Sequence, residues 1–254
     1  MQVSFEQFQP KRRRGCSVGG CAFGCMMLIP ILAGVLGIGV AIAAVFAPNL
    51  LMEVIGTVFG VETIQTRAVP GDPAQFDPIA SYEAVVAFAG AEAQLISFQA
   101  TQIRRDGTTD LTARYSPAPY VTYRFVLPVP RPENAPPVGA GGTGAGRWYQ
   151  PVNIEAFRPG QRRSVSQTGN GVSTEYQYVN EGMVRDVDDP TTNVGSGIIG
   201  TPMTCSFADF WDVALRRDAP ADAVAFISYD ANGYLFSISG VGISLRFDHN
   251  CQLI

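Results

Sequence analysis

Hydrophobic positions along this chain follow different patterns in different stretches, and each pattern predicts a different element. Residues 26–47 are apolar for 22 positions without a charged side chain. A helix of that length rises about 33 Å, enough to cross a hydrocarbon core of roughly 30 Å. The run therefore predicts a single transmembrane helix. Apolar character continues to residue 61, and residues 62–77 then carry Pro70, Gly71, Asp72 and Pro73, the composition of a linker.

Shorter periods follow. Ile79, Tyr82, Val86 and Ala89 recur near helical spacing and predict a short helix over 78–90. Next, Ile96, Phe98 and Ala100 alternate with Leu95, Ser97 and Gln99. Leu111, Ala113 and Tyr115 then oppose Asp110, Thr112 and Arg114, and Val121, Tyr123, Phe125 and Leu127 oppose Thr122 and Arg124. Period two is what an antiparallel sheet with one buried face requires, and Asp106 followed by Gly107 signals a tight turn.

The C-terminal stretch repeats this plan. Phe207, Phe210, Trp211 and Ala214 share one face of a helix expected over 207–217. Strands are expected at 223–229, 234–238 and 241–247, with Asn232 and Gly233 at a hairpin turn. Between the repeats, a Pro- and Gly-rich loop precedes strands at 148–157 and 174–180 around Gly169, Asn170 and Gly171, and 186–202 reads as loop.

The expected fold class is α+β: an N-terminal single transmembrane helix, then an exported region of two helix-plus-antiparallel-meander units. The corresponding boundaries are a cytoplasmic basic and Cys-rich tail at 1–25 and the membrane helix at 26–47. A juxtamembrane segment and linker at 48–77 lead to a first unit with inserted loop and extra strands at 78–200. A second unit closed by a disulfide occupies 201–254. Helix lying across a curved antiparallel sheet, twice over, resembles the small PepSY-like and cystatin-like domains. The likeness is one of topology over about half the chain, and it implies a binding or regulatory module without assigning any residue.

Charge sets the orientation. Lys11, Arg12, Arg13 and Arg14 precede the apolar run, and no basic residue follows it until Arg67. This asymmetry predicts a cytoplasmic N-terminus and an extracytoplasmic C-terminal domain in the plasma membrane of a bacterial envelope. A cleaved signal peptide is the competing reading. It would have an apolar core of about 7–15 residues, and here Pro48 also follows the best cleavage site at Ala47. Ala33, Gly37 and Ala41 form a small-residue stripe on which two such helices pack closely.

Cysteines divide three and two. Cys205 and Cys251 fall in the exported part and are expected to form a disulfide. Cys16, Cys21 and Cys25 match no usual metal spacing and are read as small residues at the membrane edge.

No catalytic set emerges. Gly139, Gly141 and Gly144 spell the dinucleotide fingerprint, yet they follow a proline run and lead into Trp148 rather than a helix. Gly195, Ser196 and Gly197 are too short a motif for a nucleophile elbow. His249 is the single histidine. Asp186, Asp188 and Asp189 lack the glycine and glutamate of a calcium loop. Asp209, Asp212, Asp218 and Asp222 suit polar helix faces and caps. Arg162 with Arg163, and Arg216 with Arg217, are isolated pairs, and a net charge of −4 gives no basic field for nucleic acid.

The sequence thus predicts a non-enzymatic, membrane-anchored binding or regulatory module. Its partners would be the bilayer and another envelope protein or a second copy, with no nucleic acid, nucleotide or cofactor. The alternatives are an accessory subunit assembled through the membrane helix and, third, an exported hydrolase.

Overall fold

Ten strands, two short α-helices and a 3-10 turn at Pro73–Gln75 order the parts of the protein that its computed structural model describes, namely residues 64–133, 135, 147–169, 172–194 and 197–254. At 165–169 and 172–176 only the backbone is considered. In chain order the elements are β1 (Gln65–Ala68), α1 (Tyr82–Ala89), β2 (Gln94–Ile103), β3 (Tyr120–Val129), β4 (Trp148–Phe157), β5 (Arg162–Gly169), β6 (Val172–Val179) and β7 (Gly182–Val187). They are followed by α2 (Phe207–Leu215), β8 (Ala225–Asp230), β9 (Gly233–Ile238) and β10 (Ile243–Phe247). Eight strands make one antiparallel sheet in the order β1-β7-β4-β3-β2-β8-β9-β10, and β5 with β6 forms a separate two-stranded ladder.

The predicted fold class is therefore corrected. In place of two helix-and-meander units there is one mostly antiparallel sheet, because β2 pairs directly with β8 through Phe98↔Tyr229, Gln99↔Ser228 and Ala100↔Ile227. An exposed edge on either meander would leave a row of backbone donors and acceptors unpaired, and joining the two edges removes that cost. No helix among the described residues is long and apolar enough to cross a membrane. The helix expected at 26–47, its Ala33, Gly37 and Ala41 stripe and the cluster Lys11, Arg12, Arg13 and Arg14 lie outside the described residues, as do Cys16, Cys21 and Cys25.

Local corrections have local causes. The strand expected around Leu111 and Tyr115 is a turn and loop. Asp110 Oδ1 accepts from the Thr112 amide at 3.0 Å and from its hydroxyl at 2.6 Å, a side-chain turn that competes with extension. In β2 the pairing shifts between Leu95 and Ser97. Leu95 and Phe98 are both buried as a result, and Ile96 does not share their environment as strict alternation would require. Part of the expected linker is β1, and β7 runs into the expected loop at 186–202.

Turns and ends follow from a few side chains. Asp77 Oδ1 accepts from the Ile79 and Ala80 amides at 2.8 and 3.0 Å, which fixes the turn into α1. Gly233, with φ of 97°, closes the β8–β9 hairpin, where a Cβ would run into the Phe247 carbonyl.

Both helices lie on one face of the sheet, above rows of side chains that run across the strands. One row is Tyr123, Phe98, Tyr229, Tyr234 and Phe247, in register from β3 to β10. Its neighbour is Val121, Ala100, Ile227, Phe236 and Leu245. Every one of these ten side chains is buried. From above, α1 brings Tyr82 against Tyr123 and Phe125, with ring centroids 6.4 and 6.5 Å apart. Helix α2 sets Trp211 edge-on to Phe236 at 5.3 Å and stacks Phe210 on Phe247 at 4.0 Å. Burying aromatic rings this way supplies about 2–3 kcal/mol each. Cys205, just before α2, and Cys251, after β10, stand at disulfide distance with Cα atoms 5.6 Å apart.

Candidate functional site

No helix of the described residues lies on the opposite face of the sheet. There the row in register is Thr66, Val184, Glu155, Thr122, Gln99, Ser228, Leu235 and Arg246. Beside it Arg124 stands between Ser97 on β2 and Asn153 on β4, with Asp186 beyond on β7. At one end a small apolar cluster of Phe157, Tyr178, Val184 and Ile64 interrupts the polar surface. This cluster seats the base of the β5–β6 ladder against the open face.

Two hollows flank that seat and share Thr122, Glu155 and Arg163 as a common wall. The larger, about 500 Å³, runs past Arg114, Tyr115, Tyr120, Phe157 and Arg158. The smaller, about 280 Å³, reaches Arg124, Asn153, Tyr178 and Asp186. Arg163 holds the wall between them. Its guanidinium lies 3.6 Å above the centre of the Phe157 ring and contacts Glu155 Oε2 at 3.3 Å. Stacking and pairing together fix a side chain that would otherwise be mobile at the surface.

Arg114 and Arg158 have no such partner among the described residues. The first comes from the loop after Leu111 and the second from the end of β4, so the fold draws three guanidinium groups to one cleft from separate segments. Among the described residues only Glu155 offsets them there. Residues 64–254 as a whole hold 19 carboxylates and 14 arginines, so this concentration runs against the average. Tyr115 and Tyr120 line the same hollow and are 54% and 38% exposed, the two aromatic rings among the exposed large apolar side chains of the described residues. Tyr178 titrates above its ordinary value, first because it is buried and in part against the nearby Arg163 charge. Asp186 is also raised, by partial burial and then by the neighbouring Asp188 carboxylate.

The candidates singled out in the sequence lie elsewhere or outside the described residues. Gly139, Gly141, Gly144, Gly195 and Ser196 belong to the latter group. His249 sits beneath the β8–β9 turn, with Nδ1 3.0 Å from the Tyr229 hydroxyl and Nε2 3.2 Å from the Ala231 carbonyl oxygen. Both ring nitrogens are thus engaged in holding the C-terminal turn. The Tyr229 hydroxyl also contacts the Thr201 carbonyl oxygen at 3.0 Å, and burial pushes its titration far above the ordinary range. Asp209 and Asp212 point to solvent from α2, and Asp218 and Asp222 are exposed beyond it. Asp188 accepts from Asn153 Nδ2 at 3.1 Å. Among the described residues no three His, Cys, Asp or Glu side chains gather closely enough for a metal ion.

Sequence reasoning missed Arg114, Tyr115, Tyr120 and Arg158. A signal existed for the tyrosines, since Pro117 and Pro119 follow Tyr115 and argue for a loop that would carry it out of a buried face. Of the arginine pairs, Arg163 of the first lines the cleft, and Arg216 with Arg217 is exposed after α2. No protein-family model, curated protein or solved structure matches this chain.

Proposed function

We propose that the chain is a membrane-anchored extracytoplasmic protein whose sheet domain binds another protein of the cell envelope without transforming it. The cleft on the open face, with Arg114, Arg158 and Arg163 beside exposed Tyr115 and Tyr120, carries the reading. Tyrosine and arginine are the residue types that dominate binding energy at protein interfaces. The cysteine pair Cys205–Cys251 supports an oxidising compartment, and the charge-free run at 26–47 behind a basic cluster supports attachment to the membrane.

Site-specific photo-cross-linking in intact membranes tests this. A cross-linking residue at Tyr120 is expected to yield a discrete adduct with an envelope protein. The same residue at Ser244, at the far end of the open face on β10, is expected to yield none. Equal yields at both positions, or an adduct confined to cytoplasmic proteins, would refute the proposal.

A further inference from the structure

Resting on that reading, we infer that the cleft takes an extended acidic segment of its partner, bearing aspartate or glutamate side chains, on Arg114 and Arg158. Strands β3 and β4 are interior strands of the sheet, paired on both sides, so no partner strand can add there. Along β3 and β4 recognition therefore runs through side chains. Two of the three guanidinium groups have no partner among the described residues, and each can meet a carboxylate through two parallel hydrogen bonds. Arg163 is already committed to Glu155 and the Phe157 ring, which makes it a fixed wall rather than a clamp.

Charge decides the sign of the ligand. Among the described residues Glu155 alone opposes three arginines in the larger hollow, whereas residues 64–254 carry more carboxylates than arginines. An acidic segment is drawn to this cleft and repelled by the rest of the surface, which gives register as well as affinity. Exposed Tyr115 and Tyr120 cover the apolar parts of such a segment, and each loses only two torsions on doing so. A protein segment presents carboxylates and apolar carbons in alternation, which matches this mixture of rings and charges better than a uniformly charged glycan or lipid surface does.

The test uses the full-length chain in detergent and a fluorescein-labelled peptide of about ten residues, alternating glutamate and alanine, read by anisotropy. Binding is expected at low salt and should weaken about tenfold or more when ionic strength rises to around 0.3 M. The double variant Arg114→Ala with Arg158→Ala should bind about tenfold more weakly or worse. Arg246→Ala, on the same face but distant in register, should bind within about twofold of the parent, and a matched melting temperature for all variants shows that folding is intact. A lysine–alanine peptide, a galacturonate oligomer and phosphatidylglycerol vesicles serve as competitors. Absence of peptide binding at low salt overturns the inference, as does undiminished binding by the double variant. Tighter competition by the galacturonate oligomer or the vesicles also overturns it, because the cleft would then serve a glycan or a lipid. If the Tyr120 cross-link to an envelope protein forms and the acidic peptide still fails to bind, only the ligand class is wrong; if neither occurs, the binding module itself is wrong.

Discussion

Two faces of one sheet, drawn from the same strands, have opposite chemistry. Above β2, β3, β8, β9 and β10 the row Tyr123, Phe98, Tyr229, Tyr234 and Phe247 is buried under two helices. One residue along each strand, the row Thr122, Gln99, Ser228, Leu235 and Arg246 meets no helix among the described residues. Alternation of side chains across a strand makes this division possible. What differs is the origin of each surface. The covered face is built by long cross-strand rows that any apolar residue of suitable size could extend. The cleft on the open face is built by residues from a loop, a strand end and the start of a hairpin, and only their convergence distinguishes it from ordinary polar surface.

The largest expected break in this comparison comes from adjacent residues on β2. Phe98 is 1% exposed, with its ring 5.0 Å from that of Tyr123 and 5.6 Å from that of Phe207. Phe98→Ala should cost about 3–5 kcal/mol, through lost burial and the cavity left between sheet and α2. Gln99→Ala, on the open side of the same strand, should stay within about 0.5 kcal/mol. Urea unfolding of both variants measures the contrast. A cost for Gln99→Ala comparable to that for Phe98→Ala would mean that something covers the open face as well.

Next in size is the covalent tie beneath α2. Cys205 and Cys251 enclose a loop with a sequence separation of 46, and the chain-entropy model gives about 4 kcal/mol for closing it. Replacing both by serine should lower stability by about 2–4 kcal/mol, and mild reduction of the parent should move it the same way. Ligand binding at the open face should survive, since the bridge joins elements on the covered side. Thermal melting with and without reductant reads the first effect, and peptide anisotropy the second.

These contrasts also explain what was legible in the chain. Alternation at 121–127 and 243–247 points to strands because Val121, Tyr123, Phe125, Leu245 and Phe247 are all buried in the core. It could not reveal that β2 and β8 are neighbours, since pairing between strands far apart in sequence leaves no local periodicity. The four residues of β1, Gln65, Thr66, Arg67 and Ala68, carry no apolar alternation and owe their strand to the partner β7. At Ile96 a bulge displaced the expected face, and at Leu111 a side-chain turn from Asp110 replaced a strand. The cleft was less legible still. Arg163 stands out in the sequence as one of an isolated pair, but Arg114 and Arg158 sit 44 positions apart, and nothing in either neighbourhood indicates the other.

The smallest expected effect sharpens the comparison from inside the cleft. At the centre of the covered face, among Phe98, Tyr123 and Phe236, a lone charge would be costly, whereas the open face tolerates Asp186 beside Asp188 at a modest cost. Partial burial in the wall of the smaller hollow, and then the Asp188 charge, raise the Asp186 titration above its ordinary carboxylate value. A carboxyl raised in the folded state binds its proton more tightly there than in the unfolded chain. Its stabilising contribution is therefore full below the unfolded value near 3.8 and is lost as pH rises through the folded value. Asp186→Asn keeps the shape and removes the charge. It should raise the melting temperature at neutral pH by no more than about 2 °C, given the exposure of the group, and the gain should vanish as pH falls below about 4. Because the substitution also leaves Arg124 and Arg163 facing one carboxylate fewer in the smaller hollow, it should strengthen binding of the acidic peptide. A gain in stability without a gain in affinity would confine the ligand to the larger hollow, where Arg114 and Arg158 stand.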